Sequence, residues 1–264
     1  MTPADLATAR SLFVQPHFDD IALSCGGVAA RAAAAREHPV VVTVFADGPA
    51  EAELTAFARD LHERWGAGPT PWRRRGDEDA RAMDVLGVRS LPLSHHEAIY
   101  RGYDTWPGIV GAPRDADDDL VATLARELEQ LWRSTAEATV YLPLGVGFHV
   151  DHQVCHLAGA RLAAAGATVI YYEDFPYATV TGRVQARLAR LGGTFALDIV
   201  DVTDVIATRI AAIGCYTSQL PGLFHPDGLY PGPYEALVRR HAASIARASD
   251  RFAECFYRVR GADA

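Results

Sequence analysis

Two short clusters of nitrogen and oxygen ligands stand out in this sequence: Pro16-His17-Phe18-Asp19-Asp20 and His149-Val150-Asp151-His152. A borderline-soft ion such as Zn2+ accepts imidazole nitrogen and carboxylate oxygen together, and a catalytic site needs about three protein ligands with one position left for water. His17, Asp20 and His152 meet that count, and Fe2+ suits the same donors. Residues three apart on a first helical turn face the same way, as His17 and Asp20 do, whereas adjacent carboxylates diverge. Asp19 is therefore expected beside the metal-held water, where a carboxylate accepts a proton and later passes one to a leaving amine. His149, three residues before His152, is expected to face the same pocket and, when protonated, to stabilise an oxyanion. Asp151 is expected to hold the second nitrogen of a histidine ligand. A lone histidine after a strand is usually an ordinary loop residue, and Asp-Asp pairs commonly cap helices. Two such clusters, each directly after a buried strand, favour the metal.

Other residues carry less. His156 shares a helical face with His152, but one turn deeper it is expected to pack rather than ligate. His95, His96, Glu173 and Asp174 read as loop residues near strand ends, with substrate contact, capping or a turn as their alternatives. Gly26-Gly27 lacks the G-x-G-x-x-G spacing of a dinucleotide site, and Cys25 beside it reads as a small core residue. The Pro/Gly-rich stretch 218–234, with Phe224, His225, Tyr230 and Tyr234, is a candidate active-site or interface loop.

The elements that must position these residues alternate in kind. Segments 11–15, 40–46, 90–93, 139–144 and 168–172 are β-branched and apolar, as buried strands are. Between them 22–37, 51–65, 77–86, 118–135 and 151–164 have helical character. This βα alternation predicts a Rossmann-like three-layer α/β fold with a mainly parallel sheet, whose ligands bind beyond the carboxyl ends of the strands. Towards the C-terminus, 204–216 and 234–248 are expected to be helical and 254–259 a strand. One domain over 1–264 is expected.

The net charge of −8 disfavours a nucleic-acid partner or an anionic membrane, both of which call for a concentrated basic surface. Four scattered cysteines form no C-x-x-C pair, and no apolar run reaches signal-peptide or membrane-spanning length. A cytoplasmic protein is the expectation, with homo-oligomerisation open.

The segments PHFDDIALSCGG, VTVFADGP, RGDEDARAMDVLG, HVDH, YYEDFPYA and YTSQ together resemble the LmbE-like, or PIG-L-type, superfamily of N-acetylglucosaminyl deacetylases. The resemblance implies zinc held by His17, Asp20 and His152, acid/base action by Asp19 and transition-state stabilisation by His149. It also implies a substrate-contacting arginine three residues before a glutamate, which Arg75 and Glu78 match, with an exposed arginine at a helix start as the alternative. Glu97, ahead of Tyr100 and Arg101, stands where relatives often have an aspartate and is a candidate substrate contact. Two positions depart from the pattern: Ile21 where many relatives have an acidic residue, and Gly147 where some sugar deacetylases have a tyrosine. The implied reaction is removal of an acyl group, acetyl first, from an amino sugar or sugar conjugate. A tailoring deacetylase or amidase on an aminoglycoside, glycopeptide or thiol-sugar conjugate is the alternative within that chemistry, and a non-catalytic sugar-binding protein the alternative outside it.

Overall fold

The computed structural model describes residues 6–50, 53–65, 70–224 and 230–260. Its centre is a seven-stranded sheet of β1 (Ser11–Gln15), β2 (Val40–Thr43), β3 (Arg89–Pro92), β4 (Thr139–Pro143), β5 (Val169–Tyr172), β6 (Phe195–Asp201) and β7 (Ala253–Val259), in the order β3-β2-β1-β4-β5-β7-β6. The first five pair in parallel, and β7 inserts antiparallel to both neighbours. β1 and β2 are buried at every residue, as strands covered on both faces must be.

Successive residues of the strands feed two cores. Leu12, Val14, Val40 and Val42 pack in one, beneath α5 (Asp118–Arg133) and α6 (Val150–Ala164). Phe13 and Val41 pack in the other, with α1 (Asp20–Ala34), α3 (Pro71–Leu86), α8 (Ile206–Ile213) and α10 (Tyr234–Ala246). The remaining helices are α2 (Ala56–Arg64), the turn-length α4 (Trp106–Ile109) and α9 (Leu220–Phe224), and α7 (Arg183–Leu191). The three-layer expectation holds.

Several expected bounds shift. The helix expected from 77 begins at Pro71, because proline at the first helical position has no amide to leave unpaired. The one expected from 51 begins at Ala56, capped by the Thr55 side chain, and 51–52 lie outside the described residues. The stretch 218–234 is not simply a loop: it contains α9 and the start of α10, while 225–229, with His225, lie outside the described residues. β6 and α7 were not anticipated.

Helix α1 is broken at Cys25 (φ −143°, ψ 29°). A buried ion pair heals the break. Glu254 on β7 accepts the amides of Gly27 and Val28, each at 2.8 Å, while Arg209 on α8 donates to the carbonyls of Ala22 and Leu23. The two side chains meet at 3.2 Å. Gly27 has a packing reason, since a Cβ there would lie 2.7 Å from the Glu254 carboxylate.

Candidate metal centre

The strand order reverses between β1 and β4, which opens the crevice where parallel sheets bind ligands. One ligand cluster follows each of these two strands. After β1, the turn 16–19 delivers Asp19 as the N-cap of α1 with φ 111°, a left-handed conformation rare outside glycine. The His17 amide donates to Asp20 Oδ2 at 2.8 Å, fixing the turn. After β4, His149 caps α6 by accepting the Asp151 amide on Nδ1 at 3.2 Å, and the next helical turn carries His152.

The crossover brings the clusters together. Asp20 Oδ2 lies 3.5 Å from His17 Nδ1, and Asp20 Oδ1 lies 3.5 Å from His152 Nε2. Ligand atoms of His17, Asp20 and His152 all fall within 4.8 Å of one another, and all three residues are buried. The second nitrogen of each histidine is already taken: His17 Nε2 by Asp151 at 2.8 Å and His152 Nδ1 by Asp174 at 2.6 Å. A carboxylate behind each imidazole is how metal-binding histidines are oriented, so this donor set fits a zinc- or iron-like ion. His17, His149 and Asp151 form a second compatible triple, but His17 Nε2 and Asp151 are engaged with each other there.

Asp151 has further partners besides the His17 ring. Fully buried, it also accepts from Arg101 Nη1 at 2.8 Å and from the Ala98 amide at 3.0 Å. Asp174, read from sequence as a turn or capping residue, is buried behind His152 and accepts the amides of Gly145 and Val146, each at 2.8 Å. Its role could have been anticipated only from the strand-end rim it shares with the ligands.

The electrostatics separate the neighbours. Burial, reinforced by the Asp20 charge, pushes the Asp19 carboxyl up to about 8. Burial works against charge on Asp20 too, but the two histidines outweigh it and hold Asp20 well below the usual carboxylate range. Burial likewise opposes charge on His17, yet Asp151 and Asp20 lift that imidazole to about 10. His149 moves the other way, to about 3, through burial and the His17 charge. His149 Nδ1 accepts the Asp151 backbone amide, an arrangement in which the proton of a neutral ring sits on Nε2.

The pocket over these residues has a polar lining of His17, Asp19, Asp20, Arg75, Glu97, His149 and Tyr177, and its apolar lining includes Leu61, Trp65, Ile99, Trp106 and Ile109. Arg75 is not a surface residue: at 5% exposure it pairs with Glu97 at 2.6 Å, and its Nε has no partner among the described residues. Glu78 instead ties down the YTSQ segment, accepting Thr217 and Ser218 hydroxyls at 2.8 and 2.6 Å. His95 and His96 do not line the pocket; His95 pairs with Glu127 at 2.7 Å. His156 packs on Tyr171 and bonds the Pro143 carbonyl at 3.2 Å, away from the ligands, as expected. Within 218–234, Gln219 and Leu223 reach the pocket. Gly147, the position without the tyrosine, is covered by the Tyr177 ring, which a Cβ there would meet at 2.7 Å. Sequence reading missed Tyr177, which is remote from the motif in the chain.

The fold and the buried residues define a Rossmann-like α/β protein with a His/Asp-lined pocket at the switch point of its sheet. The chain belongs to the PIG-L family: the GlcNAc-PI de-N-acetylase profile matches residues 12–163. The 2'-N-acetylparomamine deacetylase of Streptomyces fradiae is 32% identical over 218 residues, 81% of this chain and 75% of that protein. Among solved structures, the zinc inhibited form of teicoplanin deacetylase Orf2 aligns with a TM-score of 0.82 at 24% identity, over 97% of this chain and 100% of that one. The A40926 pseudoaglycone deacetylase Dbv21 aligns with a TM-score of 0.78 at 28% identity, over 97% and 99%. These relatives are deacetylases.

Proposed function

We propose that this protein is a zinc-dependent N-deacetylase acting on an acetylated amino sugar within an aminoglycoside-type molecule. The observation that carries the reading is the meeting of His17, Asp20 and His152 in one buried cluster, with Asp19 beside it in the same pocket. The S. fradiae relative supports an aminoglycoside substrate, and the donor set of two imidazoles and one carboxylate supports zinc as the metal. A divalent ion held by His17, Asp20 and His152 supplies Lewis acidity to the amide carbonyl and acidity to an attacking water.

The chain's own groups do the rest. Asp19, whose carboxyl burial makes basic, takes the water proton and returns one to the departing amine nitrogen. His149, neutral and carrying its proton on Nε2, donates a hydrogen bond to the developing oxyanion. Asp151 and Asp174 hold the two ligand imidazoles in one tautomer each. Arg75 and Glu97, paired at the pocket wall, contact sugar hydroxyls.

The test pairs elemental metal analysis with amine release from 2'-N-acetylparomamine and from N-acetylglucosamine, before and after chelation. One metal per chain and chelator-sensitive release are expected. A chain that binds no divalent metal would overturn the reading, whereas full metal with release only from an acylated glycopeptide would move the substrate to that class.

A further inference from the structure

An aspartate at a helix N-cap normally turns its carboxylate back onto the amide of the second or third helical residue. Asp19 makes no such bond. One of the two amides open to it, that of Ile21, donates instead to Oε1 of Gln15 at 3.1 Å. Gln15 ends β1 and is fully buried. Its amide nitrogen is committed on the other side, to Thr43 Oγ1 at 2.8 Å and Asp79 Oδ1 at 3.0 Å. The Tyr216 hydroxyl donates to the same Asp79 oxygen at 2.8 Å. Gln15 therefore cannot rotate without breaking three contacts. The left-handed φ of Asp19 is the kind of strained conformation that persists only where its surroundings over-determine it.

We propose that Gln15 is a positioning residue that caps α1 in place of Asp19, leaving the Asp19 carboxylate free to face the pocket, a role that rests on Asp19 being the proton-transfer group. A strand-end side chain does the helix's capping, so the N-cap side chain is released for chemistry.

Gln15→Met keeps the length of the side chain but offers Ile21 no oxygen, and Asp19 then turns onto that amide. The kcat for amine release from 2'-N-acetylparomamine should fall by about 10- to 100-fold, with KM and metal content held within about twofold. Gln15→Glu combined with Asp79→Asn exchanges amide and carboxylate across the same contact and keeps an acceptor for Ile21. That pair should retain kcat within about threefold, a rescue that lost packing alone would not give.

A second measurement needs no turnover. Asp19→Gly relieves a positive φ and removes a buried carboxylate without removing a cap, so it should raise Tm in the otherwise wild-type protein. In the Gln15→Met background Asp19 is the cap, and the same change should lose that gain. Unchanged kcat in Gln15→Met, or the same Tm shift in both backgrounds, overturns the assignment. If the wild-type protein releases no amine from this probe, the deacetylase reading fails, and the Tm comparison alone then decides the positioning role.

Discussion

At the scale of single residues, Asp19 and Asp20 are neighbours in the chain with opposite electrostatic fates. Asp20 is held charged by two imidazoles, whereas burial and the Asp20 charge raise the proton affinity of Asp19. Asp19→Ala should keep stoichiometric metal and lose about 10²- to 10⁴-fold in turnover, the usual worth of a general acid/base, while His17→Ala should lose metal and turnover together. Metal analysis beside steady-state rates separates the two; an active Asp19→Ala protein would remove Asp19 from the reaction. His17 makes a pH prediction. Its imidazole is raised to about 10 without metal, so at neutral pH a proton must leave before a metal can bind. Metal affinity should therefore climb as pH rises toward that value, and calorimetry in buffers of different ionisation enthalpy should register proton release. Asp174→Asn should weaken metal binding by about 10- to 100-fold without touching the ligands themselves. His17, Asp20 and His152 were legible in the sequence because each lies in a dense local motif. Asp174 and Arg101 were not, because what they do is defined by partners 22 and 50 positions away.

At the scale of elements, strands buried on both faces were easy to read, since β1 and β2 are nearly unbroken apolar runs. β6 was harder. It lies at the edge of the sheet, half-buried, with Asp198 and Asp201 among its residues and Leu197 and Ile199 exposed, so neither a continuous run nor a clean alternation marks it. Helix α7 has glycine at its N-cap with no side-chain cap and an arginine-rich face, and so lacked a start signal. The break in α1 was likewise invisible, because the residues that satisfy it come from α8 and β7. Arg209→Met strands the Glu254 carboxylate in the interior, and the expected loss is about 3–5 kcal/mol by urea denaturation. Adding Glu254→Gln should recover part of it, because the Gly27 or Val28 amide keeps an acceptor while the buried charge disappears.

At the scale of the whole molecule, two buried histidines lead to a prediction about acid stability. Burial, aided by Arg187, pushes His156 to about 4, and burial with Arg209 does the same to His241. Below the ordinary histidine value near 6.5 the unfolded chain takes up protons that the native chain refuses, so stability should fall as pH drops from about 6.5 to about 4. In metal-loaded protein, His156→Gln should flatten that slope; an unchanged slope would show that His156 does not titrate on unfolding. No helix among the described residues is long and apolar enough to cross a membrane. The two halves of the candidate metal centre also stand far apart along the chain, with 134 positions separating His17 from Asp151, its hydrogen-bond partner. Joining them costs the entropy of closing a long loop, so the cluster is complete only once that contact has formed. A divalent ion therefore has no assembled cage to enter while the chain collapses. It should leave the refolding rate nearly unchanged and act on the reverse reaction, lengthening the lifetime of the folded enzyme.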